Sequence, residues 1–244
     1  MNYQTLFYSD AAPRVLDVKD RKRVARQIMG VINAYTDFKT EPLACLDVGS
    51  SSGVISYHLA KYFNRVEAID VDKKAIDTAK KVYKRKNLKF LVMDAEKMSY
   101  RRALFDVVVL NQVYSFVQSD VCLMNEVWRV LRKGGICFFS ARNKFAIIEG
   151  QYNYPFLSWL PKSVSNFIVR FFRLGSQFIG NYRSYSELKD LVKRFKVYDY
   201  TLEIIKDPEK FGFSKLRVFS KVASFIPLRL FYPFIPNYIW ILEK

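Results

Sequence analysis

The chain has 244 residues, half of them hydrophobic and 16% aromatic, which excludes global disorder and provides for a substantial core. Forty basic residues against 23 acidic ones leave a net charge of +17, so an anionic partner is expected: nucleic acid, an acidic lipid surface or a phosphorylated substrate. Cys45, Cys122 and Cys137 have no C-x-x-C spacing, which argues against a disulfide framework or a zinc site, and no metal is anticipated. The opening MNYQTLFYSDAAPR lacks a basic-then-apolar signal design. The most apolar window, 222–242, is broken by three prolines and Arg229. A cytoplasmic protein is the expectation.

In chain order, residues 17–36 place Val24, Ile28, Val31 and Ile32 at helical spacing, an amphipathic helix within an N-terminal segment (1–42). A regular alternation follows over 43–142. LACLDV (43–48) reads as a buried strand, VISYHLAKYF (54–63) as a helix and RVEAIDVD (65–72) as a strand. KKAIDTAKKVYKRK (73–86) is a basic helix, LKFLVMDA (88–95) a third strand and LFDVVVLNQ (104–112) a fourth. VCLMNEVWRVLRKGG (121–135) is a helix with a glycine stop, and ICFFSA (136–141) a fifth strand. This pattern predicts βαβ units and a doubly wound α/β fold around a mostly parallel sheet. The texture changes over 143–244, where residues 141–244 alone hold 23 of the 40 aromatics. SYSELKDLVKRF (184–195) carries a capping box from Ser184 and Glu187, KVYDYTLEII (196–205) reads as a strand, and YIWIL (238–242) as the last. Segments 143–183 and 206–237 read as aromatic-rich insertions that cap an acceptor site.

The chemistry concentrates in LDVGSSSGVIS, directly after the first strand. Ligands of open parallel sheets bind beyond the carboxyl ends of the strands. Gly49 and Gly53 permit a sharp turn and close approach, Ser50, Ser51 and Ser52 are small, and the next helix offers free N–H groups. Three acids, Asp47, Asp70 and Asp94, fall at or near the ends of successive strands. An acid at the second strand's end accepts hydrogen bonds from ribose hydroxyls. The nicotinamide fingerprint G-x-G-x-x-G is absent, since the glycines fall as Gly49-x-x-x-Gly53, and no Gly-Lys-Ser/Thr makes a P-loop.

These motifs, taken together over about 44–141, resemble the class I S-adenosylmethionine-dependent methyltransferases, most closely the small-molecule, type 11-like branch. The motif Leu46-Asp47-Val48-Gly49-Ser50-Ser51-Ser52-Gly53 stands for L-D-x-G-x-G-x-G. AIDVD, LVMDAEKM, FDVVVLNQVYSFV and NEVWRVLRKGG follow in the family's order. The resemblance implies a seven-stranded Rossmann-like sheet and S-adenosylmethionine as cofactor. By it, Asp47, Gly49, Ser50, Ser51 and Gly53 wrap the methionine portion, Asp70 takes the ribose, Asp94 and Ala95 meet the adenine amine, and Val71 and Met93 flank the ring. Asn111 faces the methyl group and acceptor, and Tyr114 is a second catalytic candidate, with Tyr152, Tyr154, Tyr182 and Tyr185 behind it. Two positions depart from the family: Ser51 replaces the middle glycine although serine disfavours positive φ, and Phe116 stands where many relatives carry histidine. His58, the only histidine, reads as a packing or surface residue. The expected acceptor is small, lipid-linked or sugar-type, with peripheral contact to an anionic membrane. The competing readings are an RNA methyltransferase using the basic helices 19–26 and 73–86, and a non-catalytic binding protein.

Overall fold

The structure, a computed structural model, describes residues 18–36, 43–217, 220 and 227–244. The opening MNYQTLFYSDAAPR, residues 37–42 and part of the 222–242 window lie outside the described residues. Helix α1 (Val18–Tyr35) precedes strand β1 (Ala44–Val48), helix α2 (Val54–Leu59), β2 (Arg65–Asp70), α3 (Lys73–Val82), β3 (Leu88–Val92) and β4 (Phe105–Asn111). Then come α4 (Asp120–Val130), β5 (Leu131–Arg142), a two-stranded ribbon of β6 (Ile148–Glu149) and β7 (Tyr154–Pro155), and α5 (Lys162–Phe171). The chain closes with α6 (Tyr185–Leu191), β8 (Lys196–Asp199), α7 (Thr201–Lys206) and β9 (Asn237–Glu243). Seven strands form one sheet in the order β3-β2-β1-β4-β5-β9-β8. Strands β1 to β5 pair in parallel, while β9 runs antiparallel to both β5 and β8.

The apolar runs form strands buried on both faces, because side chains alternate across the sheet with period two. Leu46, Val48, Val108 and Leu110 enter one core together with Leu123 and Val127 of α4 and Leu188 of α6. Cys45, Val107 and Val109 enter the other with Ile28, Val31 and Ile32 of α1, Leu59 of α2 and Ile76 of α3. The order of pairing reverses at β1, which has β2 on one side and β4 on the other. Crossover connections leave this boundary in opposite directions, opening a crevice above the tips of β1 and β4.

Two elements differ from the sequence reading. KVYDYTLEII is not one strand: β8 ends at Asp199 and α7 begins at Thr201. Asp199 Oδ1 accepts the Thr201 N–H at 2.9 Å in an Asx turn, and Thr201 Oγ1 accepts the N–H of Ile239 at 3.0 Å, so local side-chain bonding and a contact to β9 override the β-branched composition. The fourth helix stops at Val130, before the glycines. Leu131 already pairs with Phe105, and Gly134, at φ +72°, donates its N–H to the last residue, Lys244. Gly134 and Gly135 therefore lie within a bulged strand rather than capping a helix. Among the described residues, no helix is long and apolar enough to cross a membrane.

Gly53 opens α2 at φ +78°, and a Cβ there would stand 2.7 Å from both the Ala79 methyl and the Phe90 ring. Gly53→Ala is expected to destabilise the protein by about 2–4 kcal/mol in urea unfolding, from overpacking plus the left-handed backbone. Ser51 is half-buried at φ +46°, a conformation that glycine adopts without a Cβ penalty, so Ser51→Gly should stabilise by roughly 0.5–1 kcal/mol in the same measurement.

Candidate active site

The loop after β1 turns three times through the left-handed region, at Gly49 (φ +73°), Ser51 (+46°) and Gly53 (+78°). Positive φ at Ser51 shows that this position does need the glycine-type conformation, and serine carries it. The tip of β2 holds the turn in place. The Ile69 carbonyl accepts the N–H groups of Gly49 (2.9 Å) and Ser50 (3.0 Å), and Asp70 Oδ2 accepts the N–H of Ser51 at 2.8 Å. The other Asp70 oxygen accepts the Asp72 N–H at 2.9 Å, and its backbone carbonyl accepts Met93 N–H at 3.0 Å. One residue thus fixes the loops after β1, β2 and β3. Burial pushes the Asp70 carboxyl above its usual range; the amides of Asp72 and Ser51 pull it back, and the Asp72 charge adds to the rise.

Above these tips lies a cavity of about 880 Å³. Of the residues named from the sequence, Gly49, Ser51, Asp70, Val71, Met93, Asp94, Ala95 and Asn111 line it. Its far side is built by the segment following β5, including Gln151, Tyr152 and Tyr182, and a third wall comes from α1 through Arg21, Arg23, Val24 and Gln27. The sequence reading of this helix as an amphipathic flank does not include the α1 wall, because nothing local in 17–36 distinguishes arginines that face the cavity from arginines that face solvent.

Four expected site residues stand off the cavity wall. Asp47 is buried and turned inward, accepting the Ser56 hydroxyl at 2.6 Å. Ser50 is buried behind the turn, and Gly53 packs against Ala79 and Phe90. Tyr114 is a correction of greater weight. It is 1% exposed, its hydroxyl donates to the Arg142 carbonyl, and the same oxygen accepts the Arg183 N–H at 3.1 Å. Burial raises its hydroxyl far above the ordinary phenol range, so it is a packed tether and not a reacting group. Of the later tyrosines, Tyr182 donates to Glu149 at 2.8 Å and Tyr152 to the Gln177 carbonyl at 2.7 Å, both at the cavity wall. Tyr154 and Tyr185 pack elsewhere, against Phe172 and Tyr232. His58 lies on α2 beside Tyr57, away from the cavity, and Phe116 lines the cavity in the place where a base was absent from the sequence pattern.

Two residues that the motif placed in the family's pattern serve the scaffold. Arg129 forms a bidentate pair with Glu126 (2.6 and 2.8 Å) and donates to the carbonyls of Met98 and Tyr100, while Glu126 accepts Met98 N–H. Together they anchor the loop carrying Asp94 to α4. Polar groups of the cavity itself are left open. The Gln112 carbonyl oxygen and both polar side-chain atoms of Gln151 are buried without a hydrogen-bond partner in the protein, so they are open to a polar group in the cavity.

This crevice, with an acid at the tip of β2 and a left-handed loop after β1, stands at the carboxyl end of a doubly wound sheet, where open α/β folds bind their ligands. Residues 46–139 match the family model described as "Methyltransferase domain", and this stretch of the chain is a class I S-adenosylmethionine-dependent methyltransferase domain with a type 11-like core. The chain is 31% identical to the ubiquinone biosynthesis O-methyltransferase of Pelagibacter ubique over 53% of this chain and 58% of that protein. It is 34% identical to the ribosomal protein L11 methyltransferase of Dictyoglomus thermophilum over 43% of this chain and 34% of the other. The chain thus spans little more than half the length of these relatives, or less. In fold it resembles the PH0226 protein of Pyrococcus horikoshii (TM-score 0.62, 15% identity, 97% of this chain and 98% of that one). It also resembles the plantazolicin methyltransferase BpumL, solved with a monoazolic desmethyl analogue and SAH (TM-score 0.61, 16% identity, 97% and 88%).

Two outcomes follow from this geometry. Tyr114→Phe removes a donor and an acceptor from buried partners and should lower stability by about 1–3 kcal/mol while leaving S-adenosylhomocysteine affinity within twofold. Burial raises Asp47 to about 7, opposed by the Ser56 hydroxyl and Arg21 and supported by Asp70. Its folded pKa exceeds the unfolded one, so the penalty for ionising it is absent below about pH 4, grows as pH rises, and is complete above pH 7. The wild type should therefore lose a few kcal/mol relative to Asp47→Asn between pH 4 and 8, read from denaturation midpoints.

Proposed function

We propose that the protein transfers a methyl group from S-adenosylmethionine to a small organic acceptor by in-line displacement. The observation that carries this reading is a single cavity walled on one side by the tips of β1, β2 and β4 and on the other by the segment after β5. Its volume suits a nucleoside–amino-acid conjugate together with a second molecule.

The residues fit this cofactor. The Asp70 carboxylate accepts the amides of Ser51 and Asp72 and interacts with that of Val71, and with about four acceptor positions in all it retains capacity toward the ribose hydroxyls. Gly49 runs bare against the β4 tip, where a Cβ would stand 2.5 Å from Val113, and with Ser51 it would hold the methionine portion. Met93 and Val71 would flank the adenine, with Asp94 and Ala95 at its amine. Bound there, S-adenosylmethionine supplies an electrophilic methyl on a sulfonium centre. A cationic centre is favoured by the acids around it, and no phosphate cradle is required.

Asn111, at the end of β4 and opposite Ser140, is the residue assigned to the acceptor side of the methyl group. Gln151 and Gln112 offer an unfilled donor and unfilled acceptors with which to orient a polar acceptor. Tyr182, its hydroxyl held protonated by burial and by the adjacent Glu149, donates and does not take a proton. With Phe116 in the cavity and His58 elsewhere, rate enhancement rests on alignment of nucleophile, methyl and sulfur, which suits an acceptor that is already nucleophilic or readily loses its proton. Small, lipid-linked and sugar-type acceptors remain the classes this cavity supports, and the relatives named for ubiquinone biosynthesis and malonyl-[acyl-carrier protein] fit such acceptors.

Titration with S-adenosylhomocysteine by calorimetry tests the reading. Asp70→Ala should weaken binding at least tenfold, about 1.4 kcal/mol or more, with Tyr114→Phe as the control for general loosening of the fold. Equal affinity in wild type and Asp70→Ala would remove Asp70 from the ribose.

A further inference from the structure

The segment after β5 turns its bulk outward. In α5, the residues facing the interior are Ser165 and Val169, and Ser165 Oγ donates to the Leu157 carbonyl at 2.9 Å. The large apolar side chains of the same helix point to solvent: Phe167 is 65% exposed, Phe171 68%, and the two rings stack on each other with centroids 5.7 Å apart. An ordinary surface helix has the reverse polarity. Phe156, Leu160, Val164, Phe172 and Leu174 extend the exposed apolar surface.

A second stretch, distant in sequence, joins it. Trp159 stacks on Phe234 at 6.3 Å, and Phe145 contacts both. Beside Phe234 stand Phe231 and Leu230, the latter 74% exposed. The charge of these two stretches is one-sided. No acidic residue occurs from 150 to 186 or from 210 to 242; Arg183 and Arg217 pair with Asp120 and Glu209 outside these stretches, which leaves Arg170, Arg173 and Arg229 as the arginines of the face. An apolar face of this size on a soluble domain marks an interaction site, and aromatic side chains interleaved only with cations match an anionic bilayer interface. Ile148 and Leu174 are exposed on this side and also line the cavity, so the face borders the cavity mouth.

We infer that this face docks on an anionic membrane surface, with Phe167, Phe171, Leu230 and Phe231 entering the acyl boundary and the arginines at the phosphates, and that the acceptor reaches the cavity from the bilayer as a lipid-borne molecule. The statement about the acceptor rests on the methyl-transfer reading; the docking face does not. A basic surface with exposed rings also binds RNA in principle, but base stacking calls for aromatic groups along a cationic groove, whereas here they crown a convex helix.

Co-sedimentation of the full chain with vesicles of phosphatidylcholine alone, and with about a third phosphatidylglycerol, tests the docking. Retention on the anionic vesicles should be at least tenfold stronger, and the Phe167→Ser/Phe171→Ser double variant should lose at least tenfold of it. Tryptophan fluorescence of the wild type should be quenched by brominated lipid, and the quenching should disappear in Trp159→Phe, which assigns it to the docking face and not to Trp128 or Trp240. Absence of retention, retention unchanged in the double variant, or displacement from vesicles by an equal mass of single-stranded RNA would each overturn the proposal. S-adenosylhomocysteine titrated into the same samples separates the two readings: vesicle binding without nucleoside binding removes the methyl-transfer reading and leaves the docking face, and the converse removes the docking face alone.

Discussion

The carboxylate of Asp70 is the point on which the site depends. A loop with three left-handed residues has no regular hydrogen-bond ladder of its own, and one of those residues, Ser51, is held there against its intrinsic preference. What offsets this is the amide of Ser51 donating to Asp70, together with the Ile69 carbonyl receiving the two preceding N–H groups. The same aspartate organises its own turn through Asp72 and receives Met93 from the third strand tip through its backbone. Three loops that would otherwise be independent are therefore referenced to one residue, which is also a wall of the cavity. Loop order and the shape of the cavity are coupled because one group serves both.

Beneath that layer, Asp47 has a different task from the one its place in the motif implies. It lies one strand over, deep enough for its carboxyl to be held near neutrality by burial, and it anchors Ser56 at the start of α2. Glu126 and Arg129 repeat the theme on the opposite side, gripping the carbonyls and amide of residues 98–100. Much of what a motif records is thus the scaffolding of loops, with the ligand-facing atoms often being backbone.

The sheet was legible because parallel strands buried on both faces leave continuous apolar runs, as in FDVVVL, and because glycine and acid positions mark the strand tips. Most of the cavity floor was legible for the same reason: Gly49, Asp70, Asp94 and Asn111 sit where strand ends must be. The misread features are those set by contacts far apart in sequence. Whether Asp47 points up to a ligand or down to Ser56 is decided by the packing of α2, and Tyr114 is claimed by Arg142 and Arg183, partners 28 and 69 residues away. The α1 wall depends on how a helix crosses the sheet. The split at Tyr200 was hidden because the partners of Thr201 lie in β9 as well as in β8.

Asn143 draws a wider consequence. Its buried side-chain amide donates to the carbonyls of Pro233 (2.6 Å) and Ile235 (2.9 Å), while its own N–H donates to Pro236, and the neighbouring Lys144 N–H reaches Arg183. The two aromatic stretches are knitted into one roof by the residue just beyond the end of β5, which reaches across 90 positions of chain to Pro233. Replacing either stretch alone would tear that knot, so the two stretches form one structural unit over the cavity.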